Sequence, residues 1–374
     1  MSEPVKYWDY LPEYQKQRAE ILALVDSVFS SGRLILGSRV EAFEGNFSAY
    51  SGAKFGIGVN SCTDALFLSL KAIGISEGDE VITVSNTAVP TVAAIRAAGA
   101  TPVFVDVEPD SYLMDTSLLE AMISPLTRCI IPVHLCGQCV DMDALMKIAV
   151  RHGIAVIEDC AQAAGATCSG SKAGSFGVAG AFSFYPTKIL GAYGDGGMVV
   201  TSSQEVAAKL RRLRFYGMEK TYYSEEEGYN SRLDEVQAAI LELRLPALQK
   251  ETDRRRMIAQ AYGNGLGDVA EINLPVAKAG RIHQYYLYTI RAKRRDELQQ
   301  YLAGNGIESR INYPTPIHLM KGYSFLGYRE ESLPVTEELA GEIISLPMYG
   351  ALPEKHLARV IAVIKQFYVG NRGL

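Results

Sequence analysis

The stretch "EVITVSNTAVPTVAAIRAAGATPVFVDV", residues 80–107, decides the fold. "EVITV" is an unbroken apolar run of strand length, without the alternation of a half-exposed strand. "VPTVAAIRAAGA" has helical periodicity and ends on glycine. "TPVFVDV" is a second apolar strand. Strands that are apolar on both faces, joined by a helix, mean a parallel sheet covered on both sides.

Outward from this unit the pattern repeats. "FGIGVN" reads as a strand that runs into the helix "SCTDALFLSLKAIGI", with Leu66, Leu70 and Ile73 on one face. "RCIIPVHL" is a strand, "DMDALMKIAVRHG" a helix capped by Asp141, and "IAVIED" another strand. "GAFSFY" and "GMVVTS" add two more. Ser202 followed by Glu205 has the spacing of a capping box, expected to open the helix "QEVAAKLRRLRFYG". A long helical stretch over 232–262 contains Pro246, so a kink or break is expected there. Beyond it "YYLYTI" reads as a strand, with helices in "RRDELQQYLAGNGI" and "EKHLARVIAVIKQFY". We expect an α/β protein with a large domain over 1–250, mostly parallel in its sheet, and a smaller C-terminal α/β domain over 251–374.

The 374 residues suffice for two domains, and 48% hydrophobic with 21% charged residues is ordinary for a soluble globular chain. A formal charge of −5 argues against broad nucleic-acid or anionic-membrane binding. The polar, aromatic start has no signal-peptide pattern, and no apolar run is long enough to span a bilayer. Six scattered cysteines suit reduced thiols in a cytoplasmic setting better than a disulfide framework.

In open parallel sheets ligands bind beyond the carboxyl ends of the strands. After "GIGV" come Thr63 and Asp64, at a helix start where unpaired N–H groups favour an anion. After "IAVIE" come Asp159 and Gln162. After "GAFSF" come Ser183 and then Lys188, set between a strand and the glycines Gly191, Gly194, Gly196 and Gly197. A lysine, a carboxylate and an anion site at one sheet edge suit pyridoxal 5'-phosphate (PLP). The lysine holds its aldehyde, the carboxylate keeps its ring nitrogen protonated, and the phosphate needs donors but no metal. Lys188 would be both anchor and general base.

"VIEDCAQAAGA", "FSFYPTKILGAYGDGG" and "GYNSRLDEVQAAIL" together resemble the PLP-dependent nucleotide-sugar aminotransferases of the DegT/StrS family. The resemblance continues through "GATPVFVDV" to "YPTPIHL" and "SLPMY". It implies the aspartate-aminotransferase-type (type I) PLP fold and a homodimer with active sites shared across the interface. It implies Lys188 as the Schiff-base lysine, Asp159 on the pyridine nitrogen, Gln162 beside the ring, and Ser183 with the backbone of Thr63 and Asp64 on the phosphate. Asn230 would reach the phosphate from the other subunit. Related dehydratases carry histidine in place of the lysine, so Lys188 implies transamination. The implied reaction takes the amino group of L-glutamate to a keto-sugar nucleotide. "YPTKILGAYGDGG" resembles members acting on 3-keto sugars, which favours C-3 of a dTDP-linked 3-keto-6-deoxyhexose, with a UDP-linked 3-keto or a 4-keto sugar as alternatives. Tyr185, His318 and Tyr313 would face the sugar.

The chain departs from the family pattern at Ala88, where an aromatic usually stacks on the ring, and at Leu34, Cys62, Cys160 and Asn312. Three other readings stand beside the enzyme. A PLP-binding regulator without turnover is one, although no helix-turn-helix or basic segment is present. A dinucleotide or P-loop binder is another, but neither GxGxxG nor GxxxxGK[ST] occurs. Cys136 and Cys139 form a CxxC near His134, a metal or redox pattern that lacks its second ligand pair. The run Arg254–Arg256 is expected on the solvated face of a helix.

Overall fold

The structure, a computed structural model, describes residues 3–220 and 222–370. Its large sheet consists of β1 (Phe55–Val59), β2 (Glu80–Val84), β3 (Thr101–Val105), β4 (Thr127–Ile130), β5 (Ala155–Asp159), β6 (Ala179–Ser183) and β7 (Gly197–Thr201). The spatial order is β1-β7-β6-β5-β4-β2-β3. Strands β2 to β6 pair in parallel, and β7 runs antiparallel between β1 and β6. The expected mostly parallel sheet is therefore present.

The helices used below are α1 (Leu11–Ser30), α2 (Ser38–Ser51), α3 (Cys62–Ala72), α4 (Val89–Ala97), α5 (Met142–His152), α6 (Gln204–Leu213), α7 (Glu235–Arg244), α8 (Leu248–Leu266), α9 (Arg295–Gly304), α10 (Pro334–Glu342) and α11 (Glu354–Gly370). Successive strand residues point to opposite faces, and each face has its own helical cover. Val81, Ile157, Ala181 and Val199 pack with Leu66 and Leu70 of α3 and Ile95 of α4. Ile82, Val156, Phe182 and Val200 pack with Phe43 and Phe47 of α2 and Leu145 of α5. That double cover is why the strands read as continuous apolar runs.

A second core has its own three-stranded antiparallel sheet, with β8 (Ile272–Asn273), β9 (Tyr288–Ala292) and β10 (Ile343–Leu346) in that order. Tyr262 of α8, Leu298 of α9 and Ile364 of α11 fill it, and Val5 joins them through backbone bonds to Gly306 and Glu308.

Pro246 breaks the long helix as expected. A 3₁₀ turn over Leu245–Ala247 separates α7 from α8, since proline lacks the donor an α-helix interior needs. Two local readings need correction. Ser203, not Ser202, caps α6, accepting the Val206 N–H at 3.3 Å. The arginine run is not one solvated face. At about 100° per residue three neighbours cannot share a face, and Arg255 turns inward, 3% exposed. It pairs with Glu251 at 3.0 Å and donates to the carbonyls of Tyr285, Tyr286 and Met348.

Candidate active site

Because β1, β2, β5 and β6 run the same way, their carboxyl ends and the following turns meet at one edge of the sheet. β7 brings the central pieces together. Gly197 is the register partner of both Val59 and Ser183. A Cβ on Gly197 would stand 2.3 Å from the Ser61 carbonyl carbon, so only glycine lets β7 approach the start of α3 this closely. Ser61 caps α3 by accepting the Asp64 N–H at 3.1 Å. Thr63 and Asp64 thus lie in the first turn of α3, where the helix end attracts negative charge. Ser183 sits half-buried beside them, its Oγ accepting the Tyr185 N–H at 3.3 Å.

Asp159 ends β5 and is 4% exposed. Its Oδ2 accepts from the Thr91 hydroxyl at 2.8 Å, and its Oδ1 from the Ala161 N–H at 3.1 Å. Burial pushes this carboxyl above the usual aspartate range, while Thr91, the Ala161 N–H, Lys188 and His134 act in the other direction. Lys188 follows β6 on a turn fixed by its own N–H to the Tyr185 carbonyl at 2.8 Å. Its Nζ rests 4.5 Å from the centre of the Tyr286 ring. The Tyr286 hydroxyl is in turn 3.1 Å from Thr187 Oγ1, so the ring is tied to the lysine's own turn.

Gln162 is clamped at both ends of its amide. Oε1 accepts the Cys136 N–H at 2.7 Å, and Nε2 donates to the Tyr313 hydroxyl at 3.2 Å. Tyr313 therefore keeps its own proton for another acceptor, and burial raises its phenol well above the usual range.

The remaining expected residues separate. Tyr185 lies beside Lys188 and is 53% exposed, open to a large substrate. Asn230 is exposed on the segment that pairs with Phe215, next to Ser231, whose Oγ bonds Asn60 at the start of α3. His318 is a correction. It is 1% exposed, with Nδ1 2.7 Å from Ser85 Oγ and Nε2 3.0 Å from Glu337 Oε1. Both ring nitrogens are engaged, so neither is available to a sugar. What it does is tie the "YPTPIHL" segment to the end of β2.

The six cysteines are buried and unpaired with one another. His134, Glu158 and Cys160 place donor atoms within 4.8 Å of one another. Yet His134 Nδ1 accepts the Val140 N–H at 3.1 Å, which leaves the ring proton on Nε2, facing Glu158 at 3.0 Å. Hydrogen bonds thus engage both ring nitrogens of His134 and both carboxylate oxygens of Glu158.

Thr87, Thr91 and Tyr286 escaped the reading of the sequence. Thr91 carried a usable signal, since it is a hydroxyl in the first turn after a parallel strand. Tyr286 carried none, because its place under Lys188 depends on how the second core docks. As a whole the donor set suits a phosphorylated, cationic heteroaromatic ring. It offers a helix start and a serine for the phosphate, a buried carboxylate with lone pairs to spare for a ring N–H, and an amine between them.

A family model described as "DegT/DnrJ/EryC1/StrS aminotransferase family" matches residues 15–365. A protein of Micromonospora megalomicea subsp. nigra named dTDP-3-amino-3,4,6-trideoxy-alpha-D-glucose transaminase is 52% identical, covering 97% of this chain and 98% of its own length. A "pleiotropic regulatory protein" of Geobacillus stearothermophilus is 45% identical, covering 96% and 97%. A crystal structure of S. venezuelae DesV in complex with a ketimine intermediate superposes with a TM-score of 0.96 at 43% identity, covering 98% of this chain and 99% of that one.

Proposed function

The chain belongs to the DegT/DnrJ/EryC1/StrS aminotransferase family and is a PLP-dependent aminotransferase; from that premise we propose that it carries the amino group of L-glutamate to C-3 of a dTDP-linked 3-keto-6-deoxyhexose. The observation that carries this is the full-length similarity to a transaminase whose product bears its amine at C-3 and lacks oxygen at C-4 and C-6. The matching acceptor is a 3-keto sugar already deoxygenated at both positions.

PLP, when bound, supplies an electron sink for the carbanion that follows loss of an α-proton. The rest is the work of this chain. Lys188 anchors the cofactor and moves the proton between the substrate carbon and the cofactor. Asp159 holds the ring nitrogen protonated, and its burial excludes competing water. Gln162, held by Cys136 and Tyr313, fixes the ring's lateral position. Ser183 and the first turn of α3 bind the phosphate. Asn230, exposed on its own chain, reaches the phosphate of a second copy in a homodimer. Tyr185 and Tyr313 face the sugar.

The test is the visible spectrum of purified protein before and after L-glutamate, with Lys188→Ala beside it. A lysine-linked band that glutamate discharges, and that the variant lacks, supports the reading. Incubation of the discharged enzyme with dTDP-linked 3-keto and 4-keto sugars then identifies the acceptor by which one restores the band. A wild type that binds PLP but ignores glutamate and every keto sugar overturns transamination and favours the regulatory role that the Geobacillus relative's name describes.

A further inference from the structure

The Asp159 carboxylate is reached by the hydroxyl of Thr91 on α4, which is backed by the hydroxyl of Thr87 in the turn between β2 and α4, and the proposed mechanism uses neither. Thr87 and Thr91 are 3% and 1% exposed, and their Oγ1 atoms are 3.0 Å apart. A threonine hydroxyl has one proton to give. Thr91 gives its proton to Asp159 Oδ2 at 2.8 Å, which is acceptor-only when ionised. The Thr91 oxygen must therefore accept, and Thr87 must be the donor to it. The pair has a single direction: Thr87 to Thr91 to Asp159. Thr91 also stands in the first turn of α4, whose N-terminal end carries partial positive charge toward the same carboxylate.

This arrangement settles the orientation of the carboxylate. With Oδ2 held by Thr91 and Oδ1 by the Ala161 N–H, the plane is pinned at two points on different elements. One lone pair on each oxygen remains for a ring N–H. The charged and titratable groups around Asp159 are Lys188 after β6, His134 after β4, Cys62 at the start of α3, Cys160 and Tyr313. Of these, Lys188 is the amine that the proposed mechanism uses in holding the cofactor.

We propose that Thr91, with Thr87 behind it, is a positioning residue for the aminotransferase reaction, fixing the Asp159 carboxylate so that its remaining lone pairs meet the cofactor's ring nitrogen. The proposal rests on the assignment of Asp159 to that nitrogen. Thr91→Val removes the hydroxyl and keeps the shape, and Thr91→Ser keeps the hydroxyl and removes the methyl.

The measurement is the dissociation constant of PLP from each apoprotein, by fluorescence titration, together with its pH dependence. Thermal unfolding of the same apoproteins checks the fold. A hydrogen bond to a charged group predicts binding weaker by about 10- to 100-fold in Thr91→Val. The acid limb of binding should move to higher pH, because Asp159 loses a donor that favours its anion. Thr91→Ser should recover most of the loss, and Thr87→Val should show a smaller loss in the same direction.

Wild-type affinity and acid limb in a folded Thr91→Val overturn the proposal. Equal damage in Thr91→Ser and Thr91→Val also overturns it, assigning the role to the buried methyl. Should Asp159→Asn bind PLP as wild type does and keep its glutamate turnover, the assignment of Asp159 falls, and this proposal falls with it. Should only Asp159→Asn lose function while Thr91→Val does not, this proposal alone falls.

Discussion

Glu158 and Asp159 are adjacent carboxylates at the end of β5, both buried, and the chain treats them oppositely. Glu158, with no exposure, accepts four hydrogen bonds. His134 Nε2 and the Gly174 N–H reach Oε2 at 3.0 and 2.7 Å, and the Phe176 and Gly177 N–H groups reach Oε1 at 2.8 and 2.9 Å. Asp159, one residue on and facing the other way, accepts two. A buried anion whose lone pairs are all filled is a staple, since it fastens the 174–177 loop and the turn after β4 to the sheet. A buried anion left half filled is costly to the fold unless something else completes it. That difference is what supports giving Glu158 to the fold and Asp159 to the proposed chemistry.

The strongest way to break this contrast is to exchange the consequences. Glu158→Ala should cost the fold about 3–5 kcal/mol, the range for removing one partner from a buried charged network. Four donors would be stranded at once. Glu158→Gln should recover little, because its amide presents two protons to groups that are themselves donors. Urea denaturation of the apoproteins measures both. A loss under about 1 kcal/mol would mean that water fills the site and that Glu158 is no staple.

Asp159→Asn should behave in the reverse way. Apoprotein stability near neutral pH should be no lower than wild type, since no saturated network is broken and the cost of a buried, half-filled anion is removed. Glutamate-driven turnover should fall by at least about 10²-fold, as expected when a preorganised charge is removed from a reacting centre. Single-turnover spectroscopy with L-glutamate gives the rate. If the asparagine variant is instead crippled in folding and normal in turnover, the two carboxylates have been assigned the wrong way round.

Lys188 extends the contrast to a cation. Its amine rests on the Tyr286 face, an attraction strong enough to place the group and weak enough to release it. Tyr286→Leu should slow glutamate turnover by about 5- to 30-fold, the equivalent of a cation–π contact of 1–2 kcal/mol. Tyr286→Phe, which loses only the bond to Thr187, should lose less than the leucine variant. Equal rates in wild type and Tyr286→Leu would show that the turn alone positions the lysine.

Much of this contrast was written in the chain, but not all. Apolar runs of strand length separated by amphipathic helices identified the sheet, because double cover makes strands apolar throughout. Asp159 and Lys188 were legible because each follows a strand on the edge where parallel sheets bind ligands. Glu158 was not, since a carboxylate inside an apolar strand reads as a strand end until its four donors, from 134 and 174–177, are seen in place. Arg255 hid in a run of charge for a related reason. A helix periodicity says that one of three neighbours turns inward, but not which one finds the carbonyls at 285, 286 and 348. His318 misled because its place in a recognisable segment suggested substrate, whereas Ser85 and Glu337 take both nitrogens.

The smallest expected effect is also the one that isolates Asp159 from everything bound to it. Its carboxyl lies above the ordinary aspartate range because burial disfavours the charge. A group that binds its proton more tightly folded than unfolded stabilises the fold fully below the unfolded value, about 3.9. That contribution is lost as pH rises through the folded value. Apoprotein stability should therefore contain a component that declines with rising pH, about 1.4 kcal/mol for each unit by which the two values differ. Asp159→Asn should remove that component and leave the rest of the curve in place. Saturation with PLP should remove it as well, because a ring N–H gives the anion the partner that the apoprotein lacks. Unfolding in urea across the acid range, for wild type with and without PLP and for the variant, tests this directly. If wild-type and Asp159→Asn apoproteins trace parallel curves, Asp159 is as well partnered in the fold as its neighbour, and the contrast between the two carboxylates is lost.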